Sequence, residues 1–110
     1  MAGSWRGFRK GPTNMSGIEA IAAERQRQIE VEGWDAAHDD AYTEFELAEA
    51  AACYALGVDQ DHRAEGVPMN WPWDADWWKP SDPNRRKNLV RAGALIAAEI
   101  DRIDRLEKSS

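Results

Sequence analysis

The residues best suited to chemistry stand together between Trp71 and Lys87. The run Trp71-Pro-Trp-Asp-Ala-Asp-Trp-Trp-Lys-Pro80 places four of the chain's six tryptophans within eight positions. Pro72 and Pro80 bar a helix through it, and no 3.6-residue stripe fits the pattern. Two uses are open to such a run. Indole faces stack on nucleobases, each contact supplying about 1–3 kcal/mol. Alternatively, the rings plug the open side of a small helical core. A cationic cluster follows at once: Lys79, Arg85, Arg86 and Lys87. Arg85 to Lys87 fall in the first turn of an expected helix, where cations oppose the helix dipole. The free N–H groups of that turn suit a phosphate, while surface pairing with Asp74, Asp76 and Asp82 is the plainer use of the same charges. The expected ligand-binding set is therefore Trp77 and Trp78 for a base, with Lys79, Arg85 and Arg86 for phosphate. His38 and Asp39 join it, because His38-Asp39-Asp40 offers a group that titrates near neutrality. Aspartates in such a turn also serve by accepting backbone N–H bonds.

A second constellation is acidic. Glu24, Glu46, Glu49 and Glu99 fall on expected helices, and Glu46 and Glu49 share one face. Carboxylates on facing helices can hold Mg²⁺, which takes oxygen ligands. Glu46-Leu-Ala-Glu49 resembles the first Glu-x-x-Glu of all-α nucleotide pyrophosphohydrolases of the MazG type. Glu99-Ile-Asp-Arg102 breaks the second half of that pattern. There is no Cys-x-x-Cys, no HExxH, no glycine-rich phosphate loop and no nucleophile elbow. No catalytic residue is assigned, and binding without turnover, with no cofactor, is the first expectation.

Composition narrows the classes. The chain has 110 residues and a formal charge of −6, which suits one small domain. Residues 1–16 carry Arg6, Arg9 and Lys10 and no acid, leaving 11 basic against 20 acidic residues in the remainder. An acidic body argues against general duplex DNA binding, which needs a cationic face. Cys53 is the only cysteine, so no disulfide forms within one chain and a reducing cytoplasm is expected. No apolar run approaches the roughly 18 residues of a membrane span.

The elements that must position these groups are helical. Residues 1–16 read as a flexible basic arm, and 17–110 as a single helical domain. Ser16-Gly-Ile-Glu19 is a capping box that opens a helix to about residue 32, with Gly33 as its stop. Thr43-Glu-Phe-Glu46 reads as a second capping box, opening a helix that ends at Gly57. Asp82-Pro83 starts a third, with Asp as N-cap and Pro in the first turn. Leu89, Ala92, Ile96, Ile100 and Ile103 form its apolar stripe, and Ala94, Leu95 and Ala98 widen it, so this helix belongs at the centre of the fold or in an oligomer contact. The expected fold is all-α: a compact, oligomeric three-helix domain with a long Trp-rich loop before the last helix.

Taken as a set, several segments resemble a group of small accessory proteins of tailed phages and prophages. They are Glu24-Arg-Gln-Arg-Gln28, Glu32-Gly-Trp34, His38-Asp-Asp40, Leu47-Ala48, Ala52-Cys-Tyr-Ala55, Trp71-Pro-Trp73, Trp77-Trp-Lys-Pro80, Ala92-Gly-Ala-Leu-Ile96 and Glu99-Ile100. The resemblance implies a phage accessory gene and transfers no catalytic residue; small phage accessory proteins are often counter-defence factors, which sets the expectation of such a role in the host cytoplasm. The expected function is sequestration of a nucleotide-like ligand by a homo-oligomer. The alternatives are a Mg²⁺-dependent pyrophosphohydrolase and a protein-contact inhibitor of a host defence complex.

Overall fold

The computed structural model describes residues 15–57, 61–81 and 84–109. The elements run α1 (Gly17–Glu30), a single-turn α2 (Ala36–Asp39), α3 (Glu46–Leu56), a 3-10 turn at Ala75–Trp77, and α4 (Arg85–Ser109). Among the described residues there is no strand, and His62 and Pro68 form an isolated bridge. The all-α class is as expected, with one short helix added where the sequence suggests a loop. Most of the basic arm and the Asp82-Pro83 helix start lie outside the described residues.

The capping box of α1 is formed. Ser16 Oγ accepts from the Glu19 N–H at 3.2 Å, and Glu19 Oε1 accepts from the Ser16 N–H at 2.8 Å. Gly33, with φ of 78°, then turns the chain beyond the helix end. The second expected capping box is not formed. Phe45 is the residue before α3 and has φ of 71°, a left-handed conformation that is costly for a bulky side chain. Thr43 therefore sits outside the cap position, and the Glu46 carboxylate accepts from the Glu44 N–H at 2.7 Å instead. At the start of α4, Asn84 Oδ1 accepts from the Lys87 N–H at 3.0 Å, which is a side-chain cap of the usual kind.

Every other helix packs on α4. Helix α1 runs alongside it in the same direction. Arg86 donates to the Met15 carbonyl at one level, Ile21 covers Gly93 at the next, and Arg25 reaches Asp101 further on. A Cβ on Gly93 would lie 2.5 Å from Ile21 Cδ1, so the missing side chain sets this close approach. Helix α3 runs the opposite way, with Tyr54 beside Arg91 and Glu46 towards Arg102. The α3–α4 core is built from Leu47, Ala50, Ala51 and Cys53 against Ala92, Leu95 and Ala98. Small alanines on both sides allow that approach.

The apolar stripe expected on α4 divides into two faces. Ala92, with Leu95 and Ala98, enters the core, whereas Leu89, Ile96, Ile100 and Ile103 remain exposed. The helix is central, but its isoleucines are not what makes it so.

The long connection before α4 has local order. Arg63 N–H bonds to the Val67 carbonyl at 2.7 Å and Met69 N–H to the Asp61 carbonyl at 2.9 Å, closing a tight hairpin around Gly66. Val67 and Pro68 are buried beneath it. Asn88 Oδ1 accepts from the Ser81 N–H at 2.8 Å and pins the end of the connection to α4.

Candidate functional site

The aromatic residues form a continuous row across four segments of chain. Trp34 stacks on His38 with an interplanar angle of 8° and ring centres 5.8 Å apart. His38 meets Tyr42 edge-on at 5.2 Å, and Tyr42 meets Trp73 at 5.1 Å. Trp73 then packs edge-on to Trp71 at 5.3 Å, and Trp71 touches both Tyr54 and Trp78. Offset and edge contacts of this kind are the favourable arrangements for aromatic pairs. The row, apart from Trp78, walls a cleft of about 580 Å³ that is also lined by Arg63, Asp74 and Trp77. That volume lies within the range of small-molecule sites.

A second lobe of about 190 Å³ adjoins the first and shares Trp34, Tyr54, Trp77 and Leu95 with it. Its other walls are Gln28 and the charged residues Glu24, Arg27, Glu32, Lys79 and Arg91. Arg27 is held by Glu24 at 2.9 Å and Glu32 at 3.0 Å. Those hydrogen bonds, Glu24 first, raise its pKa further and keep it charged. Arg91 donates to the Lys79 carbonyl at 2.9 Å and lies over the Tyr54 ring. The Lys79 ammonium forms no ion pair among the described residues.

Three residues of these walls hold a buried polar atom with no hydrogen-bond partner among the described residues: Trp73 Nε1, Arg63 Nε and Gln28 Oε1. The Arg63–Glu65 ion pair, at 3.4 Å, is too poorly aligned to satisfy Arg63 Nε. Buried polar groups are normally paired, so their concentration here sets the cleft apart from the alanine-lined core.

Asp39 anchors the wall at His38. It is 1% exposed and accepts from Arg25 Nη2 at 3.2 Å. Its other oxygen lies 2.9 Å from His38 Nδ1. A carboxylate only accepts, so Nδ1 carries the proton and neutral His38 keeps Nε2 as an acceptor. Arg25 also donates to the Trp34 carbonyl. One buried carboxylate thus fixes the positions of both rings at this end of the row.

The expected site residues separate into three groups. Trp77, 54% exposed, lines both lobes, and Lys79 and His38 also face the cleft. Trp78 lies against the core and Asp39 is buried, so both act as support for other residues. Arg85 and Arg86 are exposed at the start of α4 and line neither lobe. The rings of the tryptophan run divide: Trp71 and Trp78 pack against the core, while Trp77 is exposed. Glu24, Glu46, Glu49 and Glu99 do not converge. Glu24 pairs with Arg27 and Glu99 with Arg102. Among the described residues, no three His, Cys, Asp or Glu side chains come together as metal ligands would. Sequence reasoning missed Arg63, Asp74 and Arg91. It also passed over Trp34 and Tyr42, whose four-residue spacing on either side of His38 was a usable signal.

Burial raises the pKa of two groups at the junction of α3 with the cleft. The Cys53 thiol is pushed up to about 11, by desolvation and then by Glu49. The Tyr54 phenol is also raised by desolvation, opposed by the hydrogen bond from the Lys79 N–H. Both groups stay protonated in the folded chain at pH values where the unfolded chain has lost those protons. Stability from this source is therefore complete at neutral pH and declines as pH rises from about 9. Thermal melts between pH 8 and 11 should show the decline, and Cys53→Ala should flatten it. An unchanged slope in the variant would mean that Cys53 is not its source.

Compared with protein-family models, curated proteins and solved structures, the chain matches none. Among the described residues, no helix is long and apolar enough to cross a membrane.

Proposed function

We propose that the protein binds and sequesters a nucleotide-like anion without turning it over. The observation that carries this reading is the junction, at one exposed ring, Trp77, of an aromatic lobe with a lobe of mixed charge in which Arg27 is paired with Glu24 and Glu32 and Lys79 and Arg91 are the remaining cations. A planar base stacks on Trp77 within the aromatic lobe, where His38 Nε2 and Arg63 supply polar contacts. The phosphate lies towards Lys79 and Arg91. Lys79 keeps the part suggested by the sequence, and Arg91 takes the part first given to Arg85 and Arg86. Asp39 and Trp78 hold the walls. The resemblance to small tailed-phage proteins supports a counter-defence role in the host cytoplasm, with the chain acting as a homo-oligomer.

Tryptophan fluorescence titrated with a panel of nucleotides and cyclic oligonucleotides tests the reading. Trp77→Ala should weaken binding by about 1–3 kcal/mol, the worth of one base–aromatic stack. Lys79→Ala should also weaken it, and affinity should fall as salt screens the phosphate contact. The reading fails if no member of the panel perturbs the fluorescence, or if both variants bind as the parent does. Capture of a host defence complex by a protein that ignores every nucleotide would favour the protein-contact inhibitor.

A further inference from the structure

The aromatic lobe is lined by two opposite charges that are not paired with each other. Asp74 and Arg63 both face it. Arg63 lies 3.4 Å from Glu65, and its partner is not Asp74. Among the described residues, the Asp74 carboxylate takes part in no ion pair and accepts no hydrogen bond. Its backbone, by contrast, is fixed. The Asp74 carbonyl accepts from Trp71 Nε1 at 2.9 Å and from the Trp77 N–H at 3.0 Å. Asp74 thus precedes the 3-10 turn that presents Trp77, and the buried Trp71 ring holds it there. The exposed ring and the carboxylate stand on one turn.

The neighbouring wall is short of acceptors. Arg63 Nε and Trp73 Nε1 are buried donors with no partner among the described residues, and buried polar groups are normally matched. A flat ligand on Trp77 therefore suits the lobe when its rim carries donors for the carboxylate and acceptors for the guanidinium.

The common bases differ in how they meet a carboxylate. An ionised carboxylate only accepts, through two oxygens. Adenine and cytosine present an amino group beside a ring nitrogen, so one oxygen meets a donor and the other a lone pair. Uracil presents one ring N–H between two carbonyls. Guanine presents N1–H and its 2-amino group side by side, one donor for each oxygen. Its O6 and N7 form an adjacent acceptor pair, which Arg takes in the commonest specific contact to a base. Guanine is the base whose rim matches both charges.

We propose that the aromatic lobe is a guanine site. The base stacks on Trp77, the Asp74 carboxylate accepts from N1–H and the 2-amino group, and Arg63 donates to O6 and N7. The sugar and phosphate lead towards Lys79 and Arg91 in the adjoining lobe. This inference rests on the nucleotide binding proposed above and names its base.

Calorimetric titration of the full chain tests it. The ligands are the 5′-monophosphates of guanosine, inosine, adenosine, cytidine and uridine, with the cyclic dinucleotides of guanosine and adenosine beside them. The guanosine forms should bind most tightly. Inosine keeps N1–H, O6 and N7 and lacks only the 2-amino group. It should bind about tenfold more weakly or worse, the usual effect of losing one hydrogen bond to a charged group. This comparison needs no variant. Asp74→Asn gives the second reading. Asn offers one donor and one acceptor, which match the adenine edge and not the paired donors of guanine. Preference should pass from guanosine to adenosine, a change that loosened packing would not produce. Asp74 is exposed, so the circular dichroism of the variant should equal the parent's. If none of these ligands binds, nucleotide sequestration and the guanine site fall together. If nucleotides bind but guanosine and inosine bind equally, the guanine assignment falls and the binding reading stands. An unchanged order of preference in folded Asp74→Asn has the same consequence.

Discussion

Trp71→Ala is expected to cost about 3–5 kcal/mol of folding stability, the usual loss for truncating a large buried ring. Trp71 is 4% exposed and packs against Tyr54, Trp73 and Trp78. Its Nε1 donates to the Asp74 carbonyl at 2.9 Å, which closes the turn leading into the 3-10 segment. The void left behind would open into the adjoining cleft, and the turn would lose its tie. Small domains have only about 5–15 kcal/mol of stability in total, so the variant should be close to unfolding at room temperature. Trp77→Ala is the matched comparison. Its ring is more than half exposed, and surface truncations usually stay within about 0.5 kcal/mol. Urea unfolding followed by circular dichroism reads both. Equal losses at Trp71 and Trp77 would contradict the division of the run into supporting and presenting rings.

That division shows what the sequence could and could not convey. Local signals survive folding. The Ser16–Glu19 capping box, the turns at Gly33 and Gly57, and the long helix ending the chain all depend on near neighbours. The Thr43–Glu46 box has the same local pattern, yet it is overridden at Phe45 by how the chain enters α3. The α4 stripe misled for a different reason. Its apolar residues at three- and four-residue spacings occupy two faces of one helix, and only packing decides which face is inside. The alanines went inside because α3 could approach closely there.

The site was legible where its residues were adjacent in sequence. Trp77 and Lys79 could be read from the tryptophan run itself. Arg63 comes from a hairpin with no periodic signal, and Arg91 from the middle of a helix turn facing Tyr54. Neither can be assigned to a cleft before the loop is laid against the helices. Arg85 and Arg86 illustrate the converse, since proximity in sequence to the tryptophans did not bring them to the cleft.

Asp39→Ala should be the most damaging change to a charged residue, at about 3–5 kcal/mol. The reason is what it leaves behind. Arg25 is nearly buried, with a side chain 13% exposed. Its remaining acidic partner, Asp101, is 3.8 Å away and largely in solvent. Breaking a buried pair from one side strands the other charge, and that desolvation accounts for the large loss. Asp40→Ala provides the contrast one residue further on. Asp40 pairs with Arg105 at 2.7 Å, but both side chains are substantially exposed, and such surface pairs contribute about 0–1 kcal/mol. Asp39 also fixes the His38 ring, and Arg25 holds the Trp34 carbonyl, so the variant should loosen the aromatic row at that end. Nuclear magnetic resonance of the His38 ring would report this as lost ordering. The double variant Arg25→Met, Asp39→Leu then separates charge from shape. It removes both charges and should recover much of the stability, because no ion is left unpaired. It should not restore the His38 orientation, because Leu cannot accept from Nδ1. Equal losses for Asp39→Ala and Asp40→Ala would show that the buried carboxylate does not join α1, α2 and α4.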